Sequence, residues 1–180
     1  MPVKEGIVGP IPEGQDEDAY DKLRRRVLWK MPSGLFIIGS RAEDRRNGMT
    51  ANWVSQLSFD PKLLGVSVEK DAVTHELITS GGVFSVSIID REDRAIVRKF
   101  TKPVEVDAGA RTLNGFPFHD GASGAPILDQ AVGFVDCRVR QAVDLGGHTL
   151  FVGEVVDAGF QKDEETEVLR MEDTRMSYGG

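Results

Sequence analysis

From residue 34 onward, apolar and polar positions alternate with a period of two. The segments "GLFIIGS" (34–40), "WVSQLSF" (53–59), "LLGVSVEK" (63–70) and "VFSVSIID" (83–90) are short and bounded by turn residues, the pattern of half-buried strands. In the third, Leu64, Val66 and Val68 share one face while Gly65, Ser67 and Glu69 share the other; in the fourth, Phe84, Val86 and Ile88 oppose Ser85 and Ser87. Each strand is therefore expected to have one core face and one small, polar face. Two longer runs, "AVGFVDCRVRQAV" and "HTLFVGEVVDAGF", flank "DLGG", a hairpin signal. Spacings of three and four place Tyr20, Leu23, Val27 and Met31 on one side of a helix in "DEDAYDKLRRRVLWKMP", with acids first, bases later and Pro32 as its stop. "AVTHELITSG", closed by Gly81 and Gly82, and "REDRAIVRKF" predict two short helices that plug the ends of the sheet. The stretch 103–130, rich in Gly and Pro but carrying Phe116 and Phe118, predicts a long ordered excursion. Together these elements predict a mainly β fold: a six-stranded antiparallel barrel, strands in meander order, with a few short helices.

A chain of 180 residues with 40% hydrophobic positions can bury one full core. It is expected to form a single domain over 1–180, with an N-terminal arm over 1–15 and a C-terminal tail over 161–180. One cysteine, Cys137, allows no internal disulfide. No apolar run approaches the roughly 20 residues that cross a bilayer, and no signal-peptide pattern opens the chain, so the expectation is a cytoplasmic protein without a membrane. A formal net charge of −7 argues against nucleic acid as a partner, since that affinity comes from Lys and Arg on phosphates. The acidic runs "EGQDED" and "KDEETE" read as solvated surface. His75, His119 and His148 lie far apart and no CxxC, HExxH or EF-hand pattern occurs, so no metal site is expected. The GxSxG elbow, the P-loop and the GxGxxG fingerprint are missing as well. His75 is expected on a helix surface, His119 in a loop and Cys137 in the core.

Residues 47–61, "NGMTANWVSQLSFDP", interrupt the alternation. Asn47 and Gly48 read as a hairpin turn, with Thr50 to Asn52 as a strand start. The same small side chains also suit a backbone edge whose N–H groups a planar heteroaromatic ligand can approach. Both readings stand on the residues alone. For the second, Ser55, Ser67 and Thr74 offer hydroxyls, and Lys70, Lys99 and Lys102 offer cations for a phosphate.

The succession "MPSGLFIIGS", "NGMTANWVSQLSFDP", "LLGVSVEKDAVTHELITSGGVFSVSIID", "RKFT" and "GGHTLFVGEV" resembles the flavin reductase-like family of FMN-binding split barrels, over about residues 27–160. The resemblance implies a homodimer with a flavin, FMN or alternatively FAD, at the barrel mouth and NADH or NADPH as electron donor. It places Asn47, Met49, Thr50, Ala51 and Asn52 beside the flavin ring, with backbone amides of Thr50 to Asn52 on its polar edge. It places Ser67, Glu69, Lys70 and Thr74 on the ribityl and phosphate side, with Phe100, Thr101 and Lys102 as a second phosphate segment. His148 matches the histidine of a Gly-Asp-His turn near the flavin and nicotinamide, although Gly147 stands where that aspartate would be. The implied activity is NAD(P)H:flavin reduction, for a flavin-dependent monooxygenase or another redox partner. A flavoredoxin-like electron carrier is the nearest alternative, and a non-catalytic heterocycle-binding barrel a more distant one.

Overall fold

The structure is a computed structural model that describes residues 11–176. Most of the expected N-terminal arm and the last four residues of the tail lie outside the described residues. Asp16 opens the first helix by accepting the Ala19 N–H at 2.9 Å, and α1 runs Glu17–Leu28 with Glu17 and Asp18 in its first turn and Arg25 and Arg26 in its last. This is the charge order that complements the helix dipole. The helix stops at Trp29, before Pro32, and none of its residues is buried.

The chain then forms β1 (Phe36–Ala42), β2 (Arg45–Ala51), β3 (Val54–Phe59), β4 (Lys62–Glu69), α2 (Val73–Gly81) and β5 (Val83–Ile88). A short turn of 3-10 helix, Arg91–Asp93, leads to α3 (Ile96–Lys99). The remaining strands are β6 (Val106–Asp107), β7 (Thr112–Leu113), β8 (Phe116–Asp120), β9 (Pro126–Leu128), β10 (Gly133–Asp144) and β11 (His148–Phe160). Seven of them make one antiparallel sheet in the order β2-β1-β5-β10-β11-β4-β3. That order is not a meander, and the seventh strand is β2, the stretch whose propensities read as turn and strand start. Its residues are weak strand formers, but all seven pair with β1, from Phe36↔Ala51 to Ala42↔Arg45, so the ladder overrides propensity.

The two edges of this sheet, β2 and β3, are consecutive in the chain and joined only by Asn52 and Trp53. The sheet must therefore curl until its edges meet at that link. Because β2 and β3 do not pair, the edges part beyond it and the curled sheet stays split rather than closed. Its interior is filled by Ile38, Val66, Val68, Ile78, Phe84, Val86, Cys137 and Phe151.

The excursion 103–130 is a second sheet, β6-β7-β8-β9, packed on the face of β5 that carries Ser85 and Ser87. Both serines are buried: Ser85 Oγ donates to the Pro126 carbonyl at 2.5 Å, and Ser87 Oγ accepts the Leu128 N–H at 3.1 Å. The small polar face on β5 is thus an internal seam whose hydroxyls satisfy the incoming backbone. A second apolar cluster, including Leu35, Ile37, Val97, Phe100, Phe118, Leu128 and Leu169, fills the space outside the curled sheet. Leu169 is stitched in by its N–H to the Ile89 carbonyl and by the Leu35 N–H to its own carbonyl. Ion pairs Arg91–Glu167, Arg91–Asp173 and Lys162–Asp90 fasten the same tail. Among the described residues no helix is long and apolar enough to cross a membrane.

Candidate functional site

A cavity of about 940 Å³ lies along β2, the end of β4, the start of α2 and the loop after α3. Asn47, Met49, Thr50, Ala51 and Asn52 form its β2 wall, and Trp53 continues it. Ser67, Glu69 and His148 form a second wall, Thr74 a third, and Phe100, Thr101 and Lys102 a fourth. Three residues offered from sequence, Ser55, Lys70 and Lys99, are not brought to this lining. Ser55 is exposed on the edge strand and donates its hydroxyl to the Gln56 carbonyl at 3.2 Å. Lys70 turns its ammonium to Asp144 at 2.7 Å.

The β2 wall is held from both sides. Asn47 Nδ2 donates to Thr74 Oγ1 at 2.9 Å, tying β2 to the start of α2. Thr50 Oγ1 donates to the Val97 carbonyl at 2.5 Å and the Thr50 N–H to the Phe100 carbonyl at 3.1 Å, tying β2 to the fourth wall. Gly48 permits that approach, since a Cβ there would stand 2.7 Å from the Phe100 ring. These bonds correct the expectation of three successive amides facing a ligand. Successive N–H groups of a strand point to opposite sides, so Thr50 faces outward into Phe100, and Ala51, in register with Phe36, faces β1. Asn52, past the strand end, keeps an N–H that no described residue accepts.

The charges on the rim are mostly committed. Arg45 is bidentate to Glu76, at 2.5 and 3.3 Å. Arg46 is bidentate to Asp120, both contacts at 2.9 Å, with Arg111 joining at 3.3 Å and both guanidinium groups over the Phe118 ring. Burial pushes the Asp120 carboxyl up, but the Arg46 hydrogen bond and charge, with Arg111 behind them, outweigh it and hold the group below the ordinary carboxylate value. Lys102 carries no carboxylate partner among the described residues and lines the cavity as an exposed cation. Lys99 does not line it; its carbonyl receives Asn114 Nδ2. Ala72, the N-cap of α2, offers no side-chain cap, and no described residue accepts the N–H of Val73 or Thr74, two residues that line the cavity.

His148 opens β11 opposite Glu69, and its ring meets the indole of Trp53 edge-on with centroids 5.1 Å apart. Trp53 was not singled out by sequence reading; its signal was a large aromatic beside the small residues, and it remains 45% exposed. Pro103, Val104, Val106 and Ala108 also line the cavity, and no local pattern pointed to them because a distant segment folds back to supply them. The other two histidines differ from expectation. His75 is half-buried, with Nε2 2.8 Å from Thr149 Oγ1 and its ring against Phe151. His119 lies in β8, 2.7 Å from Asp129. Cys137 is buried as expected, and that burial, with the Asp136 charge beside it, pushes its thiol up to about 12. Among the described residues no group of three or more His, Cys, Asp or Glu side chains is placed to hold a metal ion.

The flavin reductase-like domain model matches residues 28–179. The ferric-chelate reductase (NAD(P)H) of Archaeoglobus fulgidus is 36% identical over 143 residues, spanning 77% of this chain and 82% of that protein. Among solved structures, the Streptomyces globisporus NADH:FAD oxidoreductase SgcE6 superposes with a TM-score of 0.75 at 28% identity, covering 95% of this chain and 98% of that one. The styrene monooxygenase flavin reductase of Pseudomonas putida S12 superposes with a TM-score of 0.68 at 27% identity, covering 81% and 90%. The split sheet, the cavity at its parted edges and these matches agree: the chain belongs to the flavin reductase-like family.

Proposed function

We propose that the protein is an NAD(P)H-dependent flavin reductase that takes FMN, with FAD as the alternative, in the cavity beside β2. The observation that carries this reading is the fourth wall, where Lys102 is an exposed cation with no carboxylate partner among the described residues and lines the same cavity as Val73 and Thr74 at the uncapped start of α2. A cation and a set of unused helix N–H groups are the donors a phosphate monoester needs. The long β2 wall, with its small residues and the open Asn52 N–H, suits a flat ring carrying acceptor atoms on one edge. When bound, the flavin supplies two-electron chemistry, receiving hydride from NADH or NADPH and passing the electrons on.

The chain's own contribution is binding and alignment. Lys102, Thr101 and the start of α2 hold the phosphate; Asn52 donates to the polar edge; Met49 and Ala51 bound the ring; Trp53 and His148 cap the remaining opening, where a nicotinamide has room to stack. No general base is called for in a hydride step, so orientation and exclusion of water are the terms left for the protein. Ser55 and Lys70 hold no flavin contact in this account.

The partner on this reading is first a second copy of the chain. The outer face of β3, β4 and β11 is apolar and uncovered, with Leu57 and Phe59 exposed and Leu63, Leu150 and Val152 half-buried, and it runs into the Ser67–His148 wall of the cavity. The electron acceptor is a flavin-dependent monooxygenase or another redox protein, and the compartment is the cytoplasm, where reduced nicotinamides are replenished. Equilibrium titration with FMN, followed by dialysis, tests the assignment. Saturable binding that dialysis reverses, with multiple turnovers of NADH or NADPH, supports the reductase. Retention through dialysis with slow nicotinamide reduction points instead to an electron carrier, and no binding at all removes the reading.

A further inference from the structure

We infer that Lys70 and Asp144 form a clamp that positions His148 against Trp53 at the mouth of the cavity. The inference rests on the flavin reading only for what His148 faces; the clamp itself is a property of the flavin-free fold. The turn 144–147 is the tip of the β10–β11 hairpin, a place where backbone is ordinarily mobile. Here it is held at both ends by one residue. The Lys70 N–H donates to the Gly147 carbonyl at 3.0 Å, and the Lys70 ammonium reaches Asp144 Oδ1 at 2.7 Å. The same carboxylate oxygen accepts the Gly146 N–H at 2.8 Å, so the carboxylate fixes its own turn as well as the lysine. The hydrogen bond from Lys70, and then the one from Gly146, hold the Asp144 carboxyl below its ordinary value.

What this turn carries is His148. Its carbonyl closes the hairpin by accepting the Leu145 N–H at 2.9 Å, while no described residue hydrogen-bonds the ring nitrogens. Among the described residues the ring has the edge of Trp53, at 5.1 Å, as its aromatic contact, and its backbone is in register with Glu69, so the turn sets how the chain enters that register and carries the ring toward Trp53. Trp53 is fixed from the other side, its carbonyl accepting the Ser67 N–H at 3.0 Å. Lys70 and Asp144 are both substantially exposed, so the pair adds little to global stability and its effect is local. Lys70 is accordingly a positioning residue and not a phosphate ligand.

The test compares Lys70→Gln, Asp144→Asn, the double variant and Lys70→Arg with the parent. In flavin-free protein the His148 ring protons are read by NMR, with Trp53→Leu defining the signal expected once the indole's ring current is gone. Both single variants are expected to move the His148 resonance toward that reference, and Lys70→Arg to keep it in place. With flavin present, kcat/KM for the nicotinamide donor is expected to fall by about tenfold in each single variant, and the double variant to fall no further, as for two members of one unit. FMN affinity is expected to stay unchanged. A His148 resonance that does not move, or a loss of FMN affinity in Lys70→Gln with donor kinetics unaltered, overturns the clamp. Because the NMR arm uses no flavin, it decides the clamp even if the flavin reading fails.

Discussion

Thr50→Val isolates the strap between β2 and the proposed phosphate segment. Valine has nearly the shape of threonine, so the substitution opens no cavity; what disappears is the buried hydroxyl that donates to the Val97 carbonyl at 2.5 Å. Leaving a buried acceptor without its donor costs about 1–3 kcal/mol. The Val97 carbonyl also receives the Phe100 N–H at 3.3 Å, so it is not orphaned, and the low end, about 1 kcal/mol, is the reasoned value. For a domain of this size that corresponds to a Tm lower by about 2–4 °C. The Thr50 N–H still reaches the Phe100 carbonyl, so the segment loosens rather than detaches, and FMN affinity is expected to fall by a few-fold, below the tenfold that about 1.4 kcal/mol represents. Thr50→Ser keeps the donor and is expected to keep FMN affinity. The assay is thermal unfolding of flavin-free protein beside an FMN titration of both variants. If Thr50→Val lowers Tm but binds FMN as the parent does, the strap is structural only and the link from β2 to the phosphate segment is refuted.

Lys102→Ala is expected to weaken FMN about tenfold, the loss of one exposed charge-assisted hydrogen bond, with the Tm of flavin-free protein unchanged; an equal loss of thermal stability would assign Lys102 a structural role. Acid should release the C-terminal tail. The Asp90 carboxyl is lowered chiefly by its hydrogen bond from Lys162, and Asp173 by the Arg170 backbone N–H with Arg91 and Arg170 adding to it. Since their folded values lie below the unfolded ones, their stabilisation is present above the ordinary carboxylate range and is lost as pH falls through the folded values. Tm measured from pH 6 downward is expected to drop below about pH 4, and the drop to be shallower in Lys162→Met; parallel profiles for the two would contradict the ion-pair account. The Cys137 thiol, buried and pushed up to about 12, is expected to resist a thiol reagent at pH 8 until the protein is unfolded, and rapid labelling of native protein would contradict its place in the core.

Much of the fold could be read from periodicity, because strands with one apolar face announce themselves. The helix at 17–28, the β10–β11 hairpin and the Gly82 stop of α2, at φ +67°, were all written locally. The seventh strand was not, since β2 owes its conformation to seven partners in β1 rather than to its own residues. The burial of the β5 serines is not written locally for the same reason: their partners, Pro126 and Leu128, lie about 40 residues away. At the site, all the residues placed by the resemblance except Lys70 line the cavity, but not all in the roles it implied. Thr50 is a strap rather than a row of free amides, and Lys70 is spent on Asp144. Both outcomes depend on which carbonyl or carboxylate a distant segment delivers, and no spacing along the chain encodes that.

The most direct test of the central claim is the absorbance spectrum of the protein reconstituted with FMN, recorded anaerobically before and after NADH and then NADPH. A perturbed flavin spectrum on binding is expected, with its oxidised bands bleached by at least one donor faster than for the same FMN free in solution. An FMN spectrum identical to that of the free cofactor, with no acceleration by either donor, would contradict it.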